Sequence, residues 1–163
     1  MPVKPVPEGF HTVTPSLILS NAAEAIEFYK KALGATEVMR MPAPGGKIGH
    51  AEIKIGDSVV FLSDEWPNMG GKSPQSLGAY TGGLYLYVPD VDSSFDQAIK
   101  AGGKAGMPVQ DMFWGDRMGS LTDPYGHQWT LATHVKDLSP EQIEEGAKAW
   151  QAQMAEHAQK KTA

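Results

Sequence analysis

Apolar positions recur along this chain at two periods, and the changes of period mark its elements. Thr14 to Leu19 reads as a strand. Asn21 then opens a helix over AAEAIEFYKKAL, in which Ala22, Ile26, Tyr29 and Leu33 form one apolar stripe. Asn21 is the cap, with Glu24 three residues on, and Gly34 suits a left-handed helix end. Alternation takes over in ATEVMRMP, IGHAEIKI and SVVFLSD, with turn residues such as APGG between them. On IGHAEIKI the core face is Ala51, Ile53 and Ile55, which turns His50, Glu52 and Lys54 the other way. Downstream the order recurs. GLYLYVPDV is a strand, and DSSFDQAIKAGG is a helix capped by Asp92 or Ser93, with Phe95, Ala98 and Ile99 inward. KAGMPVQDMFW, RMGSLTD and HQWTLATH then read as strands, with DPYG as a turn.

The two series superpose at one spacing. Gly34 and Gly103 lie 103 − 34 = 69 positions apart, as do Lys31 and Lys100, and Ala32 and Ala101. The same offset carries Leu17 to Leu86, Asn21 to Asp90, Val60 to Trp129 and Leu62 to Leu131. A gap-free offset across two strands and a helix is what internal duplication produces. One helix per three later strands predicts mixed sheets with helices outside, an α+β fold of two tandem βαβββ modules. Module one spans about 10–65, a Gly, Ser and Pro-rich linker 66–82, and module two about 83–135, all within a domain over 1–138. Ser139, Pro140 and Gln142 then start a C-terminal helix and tail over 139–163, with Ile143, Ala147, Trp150 and Met154 in one stripe. Such a helix either docks on its own domain or enters a dimer interface.

Composition narrows the chemistry. Of 163 residues, 14 are Lys or Arg and 19 Asp or Glu, a net charge of −5 without a basic stripe, so nucleic acid is not an expected partner. The absence of cysteine excludes disulfides, Cys-ligated zinc and thiolate nucleophiles. MPVKPVPEGF lacks the apolar segment of a secretory signal, and no stretch approaches the roughly 20 apolar residues of a membrane span. A cytoplasmic protein without a membrane partner is expected. Gly45-Gly46 and Gly70-Gly71 lack the strand-loop-helix setting of a phosphate cradle, and no Ser-His-Asp order is visible.

The duplicated unit, AIEFYKKALG, GLYLYVPDVDSSFDQAIKAGG and DPYGHQWTLATH together resemble the vicinal oxygen chelate superfamily, which includes glyoxalase I, extradiol dioxygenases, and fosfomycin and bleomycin resistance proteins. GHAEIKIGDS, LSDEWP, FWGDR and DPYGHQWTLATHVKDLSPE resemble its PhnB-like branch. The resemblance covers about residues 10 to 145. It implies two curved half-barrels forming a cup, with helices on the convex side and a ligand on the concave side. In metal-dependent members four inward ligands come from the first and last strand of each module. Those places fall on Thr14, Phe61, Gly83 and Thr130, none of which suits a divalent metal. No cofactor is therefore expected, unless a divalent metal has moved elsewhere. A homodimer is the assembly expected from the resemblance, whose members often pair or exchange modules between chains.

Period-two alternation places Thr14 and Ser16, Phe61, Tyr85 and Tyr87, and Thr130 on the concave side, with His50 and Glu52 in or near the cup. His50 and Glu52 could supply two metal ligands or an acid-base pair, with Asp64, Glu65 or His134 as a third donor; the alternative is hydrogen bonding to nearby tyrosines. Tyr85, Tyr87, Phe61 and Trp114 give an aromatic lining suited to flat ligands, or pack the space between modules. Arg117 could pair with an anionic ligand group, with Asp116, or with a surface carboxylate. His127, in LTDPYGHQW, reads as a hairpin residue. Two functions remain open: a module that binds a planar or aromatic small molecule, and a glyoxalase-type lyase or isomerase using His50, Glu52 and Tyr85. A third is a partner-binding subunit using the C-terminal helix.

Overall fold

The computed structural model describes residues 3–66 and 69–161, the side chains of 157–161 excepted. The extreme ends of the expected domain and tail, and two positions of the expected linker, lie outside the described residues. The element order is β1 (Ser16–Leu19), α1 (Ala22–Leu33), β2 (Thr36–Pro42), β3 (Ile48–Ile55), β4 (Ser58–Asp64), α2 (Pro74–Leu77), β5 (Gly83–Tyr87), α3 (Val91–Lys100), β6 (Lys104–Ala105), β7 (Gln110–Asp111), β8 (Asp116–Thr122), β9 (Gln128–His134) and α4 (Pro140–Lys161).

Equivalent side chains start the two outer helices. The Asn21 carboxamide accepts from the Glu24 amide at 3.2 Å, and the Asp90 carboxylate from the Ser93 amide at 3.1 Å. The cap of α3 is thus Asp90, not Asp92 or Ser93, because Asp90 holds the extended backbone that a cap needs while Asp92 already lies in the first turn. A second repeated bond ties each helix start to its sheet: the Ala22 amide donates to Asp64 Oδ1 at 2.8 Å, and the Val91 amide to Thr133 Oγ1 at 2.9 Å.

The strands form two mixed sheets that stay open. The first has the order β1-β4-β3-β2; the second runs β5-β9-β8-β6, with β7 also paired to β8. In each, only the first listed pair is parallel. Ser16 stands opposite Phe61 and Tyr85 opposite Thr130, so the 69-residue offset survives as strand register (85 − 16 = 130 − 61 = 69). It slips by one at the next strand, where Ala51 faces Leu62 and Gly119 faces Leu131 (119 − 51 = 68). The strand expected over KAGMPVQDMFW is two fragments, β6 and β7. Between them Pro108 has no amide to donate, and the amides of Gly106 and Met107 bond to the Ser120 carbonyl and hydroxyl at 2.8 and 2.9 Å.

Leu17, Leu19, Val60, Leu62, Trp129 and Leu131 are buried in the core. The helices α1 and α3 pack against one another, and Gln97 of α3 donates to the Lys31 carbonyl at 2.9 Å. Deeper, the Tyr29 hydroxyl of α1 donates to Asp123 Oδ2 at 2.7 Å, as does Trp129 Nε1 at 3.0 Å. Asp123 opens the LTDPYGHQW turn, where its other oxygen accepts from the Tyr125 and His127 amides, both at 2.9 Å. His127 is buried, and its Nε2 donates to the Ile18 carbonyl at 3.0 Å, across to the first sheet. It is a hairpin residue that joins the two halves. At the C-terminus, α4 rests on Phe113, whose ring lies 6.3 Å from that of Trp150. Among the described residues no helix is long and apolar enough to cross a membrane.

Candidate functional site

Strand alternation decides which side chains leave the helix-facing core. On the second sheet the partners of Leu84, Leu86, Trp129 and Leu131 point to the helices, so Tyr85, Tyr87, Thr130, Asp116 and Met118 share the opposite face. On the first sheet the corresponding face carries Phe61, Glu52 and His50, edged by Met39 and Met41, which stand opposite Glu52 and His50.

Asp116 organises the second face. It is only 3% exposed, yet its Oδ2 accepts from the hydroxyls of Tyr85 and Tyr87, both at 2.9 Å, and from Trp114 Nε1 at 3.1 Å. Its Oδ1 lies 2.8 Å from His134 Nδ1, and His134 Nε2 reaches Asp137 at 3.0 Å. Burial pushes the Asp116 carboxyl up, but the bonds from His134, Tyr87, Tyr85 and Trp114 together outweigh it and hold it below the ordinary carboxylate range. The two carboxylates push His134 up, Asp116 first. Burial, then the bond to Asp116, raises the Tyr85 phenol; for Tyr87 the Asp116 bond is the larger cause. The tyrosine rings stand 5.1 Å apart and remain 46% and 61% exposed.

A backbone device sets this cluster. Gly115, between Trp114 and Asp116, has φ of 99°, and its carbonyl accepts from the amides of Val135 and Lys136 at 2.9 and 3.0 Å. A Cβ there would lie 2.2 Å from the Lys136 carbonyl oxygen, so only glycine fits. The sequence alone suggests Asp116 only as a partner for Arg117. Neither its place opposite His134 nor its convergence with two tyrosines and a tryptophan was legible, because Gly115 and Gly119 leave the face of that strand open and alternation does not set the register between strands.

On the first sheet His50 Nε2 lies 3.3 Å from Glu52 Oε1, and the His50 ring meets Phe61 edge-on at 4.9 Å. Phe10 covers Phe61 from the N-terminal segment, 6.0 Å between centroids. Arg117 lies elsewhere. As the strand neighbour of Asp116 it points to the helix side, where it bonds Asp92 of α3 with two nitrogens at 2.8 Å and Asp111 at 2.9 Å. Of its three expected partners, the surface carboxylate is the one it has. Thr14 precedes β1 and is part-buried, while Ser16 is exposed and lines a cleft of about 380 Å³ between β1 and β5, with Ile18, Lys72, Tyr80, Gly83 and His127. That cleft contains none of His50, Glu52, Phe61, Tyr85 or Trp114.

The metal that the resemblance implies finds no suitable donors at its usual places. Phe61 has none, Gly83 has no side chain, and a Cβ there would press on the Gln128 carbonyl at 3.2 Å. Nor do the three expected third donors join His50 and Glu52. Asp64 accepts from the Ala22 and Ile48 amides and is 4% exposed, not solvated at a strand end. Glu65 accepts from the Ser73 amide and the Ser76 hydroxyl at the start of α2, and His134 belongs to the other sheet. Among the described residues no group of three or more His, Cys, Asp or Glu side chains is placed to hold a metal ion.

Known proteins share this architecture. A profile for the Glyoxalase/Bleomycin resistance protein/Dioxygenase superfamily matches residues 9–131. An uncharacterised protein of Mycobacterium bovis is 42% identical over 135 residues, 81% of this chain and 89% of the relative. The crystal structure of TioX from Micromonospora sp. ML1 superposes with a TM-score of 0.62 at 26% identity, covering 77% of this chain and 99% of that one. The PhnB protein from Bacillus cereus shares the fold at 19% identity, with a TM-score of 0.57 over 76% of this chain and 99% of its own. A profile match across most of the chain, on two mixed sheets with their helices outside, places this protein in the glyoxalase/bleomycin resistance protein/dioxygenase superfamily.

Proposed function

We propose that this protein binds a planar aromatic small molecule against the second sheet, and holds it without turnover. The observation that carries this is the Tyr85–Tyr87 pair: two large rings left about half exposed, yet fixed in orientation by one buried carboxylate. Rings so held offer stacking area with little further loss of rotamer freedom, and Trp114 extends the surface. In this reading the domain over 1–138 is the working unit, the protein is cytoplasmic, and neither nucleic acid nor membrane is a partner. It is also a homodimer, because Met39 and Met41, 37% and 54% exposed beside the His50–Glu52 face, leave a second open surface to cover.

A thermal-shift screen of aromatic compounds tests the reading, since a ligand that binds only the native state raises its stability. Stabilisation by a planar compound, with affinity falling about tenfold in Tyr85→Ala and the circular dichroism unchanged, is the expected result. An equal affinity in the variant sinks it. The His50–Glu52 contact at 3.3 Å supports a second reading, acid-base catalysis of the lyase or isomerase kind. Conversion of a bound compound to product, abolished by Glu52→Gln, would favour it over simple binding.

A further inference from the structure

The donors and acceptors on the Tyr85–Tyr87 face are unequally used. Asp116 takes the protons of both tyrosine hydroxyls, the Trp114 indole N–H and one His134 nitrogen, and Asp137 takes the other. The nearest guanidinium along the chain, Arg117, is on the reverse of the strand, between Asp92 and Asp111. What this face presents outward is therefore ring faces and hydroxyl lone pairs, backed by a buried carboxylate. Each phenol that donates to Asp116 becomes richer in electrons, which strengthens attraction between its ring and a cation. Apart from the Thr130 hydroxyl, an anion could gain a donor here, from Tyr85, Tyr87 or Trp114, only by breaking a bond to Asp116.

Resting on the aromatic-ligand reading above, we infer that the ligand is a planar organic cation, held by the Tyr85 and Tyr87 rings over the buried Asp116 carboxylate. The arrangement disfavours planar carboxylates and phosphates of the same size.

Fluorescence titration of the full chain at pH 8 with three probes of one shape tests this: 10-methylacridinium, neutral acridine and anthracene-9-carboxylate. The expected order is acridinium tightest, about tenfold over acridine, with the carboxylate weakest. A net charge of −5 attracts any cation, so the deciding variant is Tyr87→Leu, which removes a ring and changes no charge. The preference for acridinium should fall several-fold in Tyr87→Leu and in Asp116→Asn. Tyr87→Leu also serves if Asp116→Asn fails to fold, because Tyr87 is largely exposed. If acridine or the carboxylate binds as tightly as acridinium, or the preference persists in Tyr87→Leu, the cation inference is overturned while the aromatic-ligand reading stands. If none of the three binds, both fall.

Discussion

Asp116 and Asp123 are both buried, both accept from four donors, and do different things with them. Asp123 takes two of its donors from its own turn and two from buried aromatic side chains, so it fastens structure. Asp116 takes its donors from side chains that border solvent, so it orients a surface. His134 is the titratable member of that surface with an ordinary value near 6.5, raised by Asp116 and then by Asp137. A histidine whose value is raised on folding contributes stability fully below the unfolded value and loses it as pH climbs through the folded one. The Tm advantage of the natural chain over His134→Gln should accordingly be largest near pH 5.5 and shrink toward pH 9. A difference that does not change with pH would refute the two-carboxylate arrangement around His134.

Elements repeat more faithfully than residues. Helix starts, parallel pairs and the ties to Asp64 and Thr133 recur at the same spacing, while the second strand of the repeat is continuous as β2 and broken into β6 and β7. Alternation alone made KAGMPVQDMFW look like one strand; the break depends on Pro108 and on Ser120 reaching across from β8, which a local pattern does not contain. The C-terminal helix has no counterpart in the first half, and Gly146 lets it approach: a Cβ there would stand 2.9 Å from Phe113 Cβ. Helix propensity alone favours replacing this glycine, by a few tenths of a kcal/mol for a β-branched residue. Gly146→Val should nonetheless lower stability by about 1 kcal/mol through overpacking, and shift Trp150 emission to the red. The shift should vanish in a Trp150→Phe background; a stabilised Gly146→Val would mean that α4 does not dock on Phe113.

At the scale of the molecule, the two halves are locked by buried side-chain bonds across 94 positions of sequence, from Tyr29 to Asp123, and by His127 to the Ile18 carbonyl. They should unfold together. Urea transitions followed by tryptophan fluorescence and by far-UV circular dichroism should coincide in the natural chain. Asp123→Ala, which strands Tyr29 and Trp129, should lower unfolding free energy by about 3 kcal/mol or more. Separate transitions in the natural chain, or a loss below about 1 kcal/mol in the variant, would show that the lock carries little.

The sequence by itself determined what depends on neighbours and periodicity. The Asn21 cap, the strand faces that bury Val60, Leu62, Trp129 and Leu131, and the repeat at 69 residues all follow from local backbone preference and from the need to bury one face. The pairing of His50 with Glu52 was legible for the same reason, two residues apart on one strand. Only the tertiary structure decided where the polar groups found partners. Arg117 meets Asp92 because β8 passes beneath α3, and Asp116 collects donors from β5, β9 and the preceding loop. Alternation says which way a side chain points, but a buried charge is stable only where several distant donors converge, and that convergence exists only once the strands have paired.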